Sequence, residues 1–196
     1  MQADTPRISQ SGAWGLALAA GGLYASVHIL NDWLFQGFEL SDHINLIYLP
    51  SFLRLVNVLV LGLLWGTIGT ALGGVLLYFW LQDSLFISIL NTLVSAGCAG
   101  LSLWLLQILQ QRQLSITRLS DLMKLALLNA LMNSMLHHMV WALADPAQLV
   151  EPHQVAYMWV GDISGAIVGA LVLRWVASRT GIVEFAKQKV ANNDPP

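Results

Sequence analysis

Two side chains carry formal charge inside long apolar runs, Arg54 and Asp162. An ionisable group in such a setting is costly and is retained for binding, relay or pairing. Opposite charges at similar depth invite a pair, which lowers the cost of both. Other polar residues recur at helical spacing around them. His28 and Asp32 stand four residues apart, on one helix face, with Asn31 beside them. Asn57 follows Arg54 by about one turn, and Asn91 adjoins Thr92. Asn129, Asn133 and His137 form a stripe at intervals of four, with His138 beside it. A cavity floored by Arg54, Asn57, Asn133 and Asp162 accommodates this set. In that reading Arg54 binds or orients an anionic or polar group, and Asp162 is its counter-charge in the empty state. His28, Asn91 and His137 complete the polar lining together with Asn57 and Asn133. The plainer reading is a network of hydrogen bonds that holds a helical bundle together.

Catalytic signatures are missing: the sequence has no GxSxG, HExxH, P-loop or dinucleotide fingerprint. Non-enzymatic function is therefore expected. Neutral imidazoles at 28, 137 and 138 are chemically able to hold haem or a metal. No Cys or carboxylate stands at ligand spacing, however, and adjacent His137 and His138 point in different directions. No cofactor and no metal are expected. The single Cys98 lies among Gly97, Ala99 and Gly100, where a thiol serves as small packing filler.

The elements that must position these residues follow from composition. Of 196 residues, 56% are hydrophobic and only 10% charged, against roughly 25% charged in a soluble domain. The mean hydropathy is +0.64. Polar surface is too scarce to cover a water-soluble globule, and a net charge of −2 offers no basic footprint for nucleic acid. Lipid is the solvent that such a chain fits. A spanning helix needs about 20 mostly apolar residues. Six segments satisfy or approach that length: 12–35, 44–64, 66–81, 85–109, 119–144 and 155–177. The expected fold is all-α, a polytopic integral membrane protein with six transmembrane helices. It forms a single transmembrane domain over 1–196, with a polar N-terminal segment at 1–11 and a polar tail at 180–196. The polar start, with an apolar stretch too long for an h-region behind it, does not read as a secretory signal.

Charge sets the orientation. Arg7, Arg112, Arg118, Lys124, Arg174, Arg179, Lys187 and Lys189 fall on one side of an alternating six-span arrangement. Glu39, Asp42, Asp83, Asp145 and Glu151 fall on the other. Positive residues mark the cytoplasmic side, so both termini are expected there, in a bacterial inner membrane. The polar residues then lie in the outer half or at the midplane, and the cavity opens outward. Pro50, which lacks a backbone donor, marks irregularity where the second segment enters. A turn is expected at Trp65–Gly66.

Small residues at intervals of four mark close helix packing. They occur at Ala13, Ala17, Gly21 and Ala25, at Gly62 and Gly66, at Gly69 and Gly73, and at Gly161, Gly165 and Gly169. They either pack the bundle internally or, on the first segment, dock a partner subunit.

The stretches 47–74 and 91–106 resemble the membrane-associated sensor domain family. These are multi-span modules placed before diguanylate cyclase, phosphodiesterase or histidine kinase domains. The matching positions are Leu49, Pro50, Arg54, Gly62, Gly66, Gly69, Gly73, Asn91 and Thr92. The resemblance implies a sensor of a small ligand or periplasmic signal. The chain departs from the family in having six segments, fewer than usual, and no cytoplasmic output domain, so a partner membrane or cytoplasmic protein would relay the signal. In length, helix number and outward pocket it is also similar to substrate-binding subunits of energy-coupling-factor vitamin transporters. That likeness implies that the first-segment stripe meets a coupling subunit. A third role is that of an accessory subunit in a larger membrane complex.

Overall fold

The computed structural model describes residues 9–41, 44–81, 84–114, 118–144 and 151–180. The basic residues Arg7, Lys187 and Lys189 and the acidic residues Asp42, Asp83 and Asp145 lie outside them. Among the described residues the fold is helical. The helices are α1 (Gln10–Leu34), α2 (Pro50–Tyr78), α3 (Leu85–Gln110), α4 (Leu119–Ala144) and α5 (Pro152–Thr180). A 3-10 turn (Gln36–Phe38) and two short antiparallel strands, β1 (Glu39–Ser41) and β2 (Ile44–Asn45), lie between α1 and α2. Serines close two of the helix starts. The Ser9 hydroxyl accepts from the Gly12 N–H, and the Ser84 hydroxyl from the Ile87 N–H.

Four helices are long and apolar enough to cross a membrane: α1, α2, α3 and α5. Large apolar side chains such as Leu18, Trp33, Leu64 and Phe86 face outward on this bundle. The polar residues of α4 are turned inward instead. Asp121, Asn129, Asn133, His137 and His138 are all buried, and their cost in hydropathy leaves α4 outside that set of four.

The sequence reading of 44–64 as one helix is corrected in two places. Residues 44–49 are extended or turned, and helix begins only at Pro50. Pro50 occupies the first helical turn, where its missing donor costs nothing. The chain also reverses inside α2. Gly62 has φ 81° and ψ 172°, a conformation open to glycine and strained for any other residue. The Asn57 amide donates to the Thr70 hydroxyl at 3.1 Å, whereas a straight helix would hold these positions about 20 Å apart. Gly66 lies directly on the backbone of Asn57 and Val58. The two runs, 50–61 and 63–78, therefore fold back on each other. The turn falls at Gly62, not at Trp65–Gly66 as the sequence suggested.

Glycine contacts set the helix directions. Gly69 and Gly73 meet Ala17, Gly21 and Tyr24, so 63–78 runs parallel to α1. Gly74 meets Thr92 and Gly100 meets Thr67, so α3 returns antiparallel. Side-chain bonds from Ser95 to His137 and from Ser102 to Met132 set α4 antiparallel to α3. Gly161, Gly165 and Gly169 meet Asn45, Tyr48 and Phe52 in that order, so α5 runs in the direction of 50–61 and against α4. Six helical runs alternate in direction, and α1 starts at the same end of the bundle at which α5 finishes.

The α1 stripe is consumed by this packing. Ala13, Ala17, Gly21 and Ala25 are buried, and Gly21 sits on the backbone of Gly69 and Gly73. Of the two uses read from sequence, the stripe's contacts here are those of internal bundle packing. At the end of the bundle where α3 gives way to α4, Arg112 forks onto the buried Asp121 with bonds of 2.7 and 2.5 Å. These hydrogen bonds push the Arg112 guanidinium above its ordinary value.

Candidate functional site

The strand-and-turn segment before Pro50 is what builds the site. It runs along α5 in the same direction as that helix. Gly161 faces the Asn45 carbonyl, Gly165 the Tyr48 carbonyl and Gly169 the Phe52 ring. At the first two positions a methyl group would overlap backbone, which is why two of the three stripe positions admit only glycine. Non-helical backbone in an apolar setting must have its polar groups satisfied by protein. The Asn31 side chain accepts from the Leu49 N–H at 2.8 Å, and the Gly161 carbonyl accepts from the Tyr48 N–H at 3.1 Å. The Ser164 hydroxyl donates to the Leu46 carbonyl at 2.5 Å. The run 50–61 thus begins near the middle of α5, with Arg54 in its second turn.

Arg54 is fully buried and forms a closed triad there. Its Nη2 donates to Asp162 Oδ1 at 2.5 Å, and its Nη1 to Asn133 Oδ1 at 2.8 Å. The Asn133 amide closes the ring by donating to Asp162 Oδ2, also at 2.8 Å. The guanidinium lies 5.3 Å from the centre of the Tyr48 ring, a cation–π contact. Charge, hydrogen bonds and an aromatic face are all supplied from within the chain, which offsets the cost of burying both ions.

Above the triad is a cavity of about 300 Å³, bordered by residues of all five helices and of the segment before Pro50. Of the residues read from sequence, Arg54, Asp162, Asn133, His28, Asn91 and His137 line it together. Asn57 does not. It points into the fold-back and holds Thr70, because it lies a turn deeper than Arg54 along 50–61. His137 receives or gives a bond at 3.2 Å with Ser95, and Asn91 accepts from the Trp141 indole at 2.8 Å. His138 turns away and bonds the Ser134 carbonyl at 2.8 Å.

The structure adds residues that the sequence reading did not single out as site residues. Tyr24, Tyr48, Tyr78 and Trp141 supply aromatic walls, and Asp32 and Glu39 stand among the lining residues. On α3 the lining includes Ser88, Asn91, Thr92 and Ser95. Their spacing of three and four along one helix face was a readable signal, muted because serine is also a common packing residue in membrane helices. Ser88 Oγ and Arg54 Nε, buried polar atoms on lining residues, have no hydrogen-bond partner among the described residues. Among the described residues no group of three or more His, Cys, Asp or Glu is placed to hold a metal ion.

Compared with known proteins, the chain matches no family model, no curated protein and no solved structure.

Proposed function

We propose that this chain is a non-enzymatic, multi-pass membrane protein that recognises a small ligand or external signal in the cavity above Arg54. The reading has six crossings, both termini cytoplasmic, in a bacterial inner membrane, with the cavity open to the outside. The basic residues support this orientation: Arg112, Arg118, Arg174 and Arg179 lie toward the end of the bundle where α1 starts. Glu39 and Glu151 lie toward the other, next to the cavity mouth or the start of α5.

The observation that carries the proposal is the cavity itself. Its volume of about 300 Å³ is at the lower end of the range for small-molecule sites. A network that served packing alone would close on itself and leave no space, yet here the closed triad is only the floor. Buried, unpartnered Ser88 Oγ on the wall is a group that a ligand would satisfy. From sequence, Arg54 is expected to bind or orient an anionic or polar group. Both of its terminal nitrogens are already engaged, so in this proposal Arg54 and Asp162 set the shape of the floor and fix α2 to α5.

Transmission runs through α5. That helix carries Asp162 at the floor and ends in a stretch where Leu171, Val172, Leu173 and Trp175 are exposed. A change in how the floor packs would reach a partner protein along this rod, as expected of a sensor-like module. The decisive experiment is native mass spectrometry of the gently purified protein, followed by thermal unfolding with the released small molecule added back. The expected result is a bound small molecule whose stabilising effect is lost in Asn91→Ala and Ser88→Ala. A protein that carries no such molecule, and is stabilised by no member of a polar metabolite library, would overturn the proposal.

A further inference from the structure

The charge arrangement around the cavity narrows the ligand class, granted the reading that the cavity is a binding site. Arg54 is the single Lys or Arg among the described lining residues, against three carboxylates, Asp162, Asp32 and Glu39. Asp162 is spent on Arg54. The charge left for a ligand is therefore negative. Asp32, 42% exposed, stands 3.2 Å from His28 Nδ1, and Glu39 is exposed. Two carboxylates beside low-dielectric walls focus a field that attracts cations and repels anions.

The walls agree with the field. Tyr24, Tyr48, Tyr78 and Trp141 are among the residues that line the same space. Aromatic faces stabilise an ammonium more strongly when the site is desolvated, and several rings around one cavity form a cage for it. Tyr48 already uses its ring this way toward Arg54. Unpartnered Ser88 Oγ, 92% buried, adds a hydroxyl that can accept from an N–H or donate to an oxygen. Arg54 Nε, an unpartnered donor on the floor, adds a place for an acceptor atom on the ligand.

We propose that the cavity selects a small organic cation, a primary amine or quaternary ammonium bearing an oxygen acceptor, over carboxylates and phosphates. The cationic end lies toward Asp32 and Glu39, and the oxygen toward Arg54 and Ser88.

The test uses the intact protein in nanodiscs, with thermal unfolding and isothermal titration as readouts. The cationic probes are choline, ethanolamine and tyramine. The anionic probes are acetate, glutarate and inorganic phosphate, and uracil and glycerol serve as neutral ones. Binding by at least one cationic probe is expected, weakened about tenfold for each of Asp32→Asn and Glu39→Gln, with no response to the anions. Both carboxylates are at least partly exposed, so these variants retain the fold, which unchanged unfolding without probe would confirm. Binding of an anion instead would overturn the cation assignment while leaving the cavity as a site. So would binding of a neutral probe that is insensitive to both substitutions. Failure of every probe class would overturn the cation assignment and count against the cavity reading itself.

Discussion

Arg54 and Asp162 lie 108 positions apart in the chain and meet at 2.5 Å, each only 1% exposed. The pair ties the short run 50–61 to α5, and Asn133 ties both to α4. Removing one partner leaves the other as an uncompensated buried charge, which costs roughly 3–5 kcal/mol. Arg54→Ala and Asp162→Ala should therefore each unfold at markedly lower denaturant. The double substitution Arg54→Met with Asp162→Leu, which removes both charges and keeps volume, should recover most of the loss. Unfolding of the four proteins in one detergent checks this, and two single variants as stable as the parent would refute the pairing's structural weight.

The reversal at Gly62 makes a different kind of claim, one of shape. Any residue with a Cβ is strained at φ 81°, ψ 172°, by about 1–3 kcal/mol. Gly62→Ala should lower stability by that amount although nothing crowds the position. Asn57→Cys with Thr70→Cys, in a Cys98→Ser background, should be bridged by a short thiol crosslinker such as dibromobimane. The same pair on a straight helix would be about 20 Å apart and would not react together. Bimane fluorescence in the double-cysteine protein, absent from each single-cysteine control, is the expected result.

The α5 glycines lead to a third expectation. Gly165 faces the Tyr48 carbonyl with no room for a methyl group, whereas Gly97 on α3 has open space around it. Gly165→Leu should force the segment before Pro50 off α5, at a cost of about 3 kcal/mol or more, and break up the cavity floor. Gly97→Leu should be tolerated. Size-exclusion profiles and unfolding of the two variants measure the contrast directly. Equal behaviour would mean that the extended segment does not lie on α5.

Which of these features the sequence announced depends on whether the cause was local. Arg54 and Asp162 were legible because charge in an apolar run has few uses, and a partner of opposite sign stood at a matching depth. The Asn133 and His137 positions followed from spacing alone. The non-helical stretch 44–49 was not legible. Leu46, Ile47 and Leu49 read as the start of an apolar helix, and the tertiary fit of the α5 glycines against Asn45 and Tyr48 is what seats the stretch on α5 as strand and turn instead. The turn was misplaced for a related reason. The run from 58 to 66 has no polar break, and Gly62 looks like the other packing glycines until its backbone angles are known. Asn57 was assigned to the cavity because it lies one turn from Arg54, yet the fold-back gives it Thr70 as a partner. The α1 stripe signalled close packing correctly, but small residues carry no information about whether the surface they meet belongs to the same chain.

The orientation of the bundle can be tested independently of any ligand. Gly37, in the turn after α1, is exposed at the proposed outer end, and Gln113, after α3, is exposed at the proposed inner end. In the Cys98→Ser background, a cysteine at each position should show opposite behaviour toward a membrane-impermeant maleimide. Intact cells should label Gly37→Cys, and only disrupted cells should label Gln113→Cys. The physical basis is the sorting of charge. Arg112, Arg118, Arg174 and Arg179 cluster toward one end, and no Lys or Arg among the described residues lies at the other. Reversed labelling would put the cavity mouth in the cytoplasm and turn the proposed ligand from an external signal into a cellular metabolite. Labelling of both positions in intact cells would mean that 50–61 and 63–78 together do not make the down-and-up pair of crossings that the six-span reading requires.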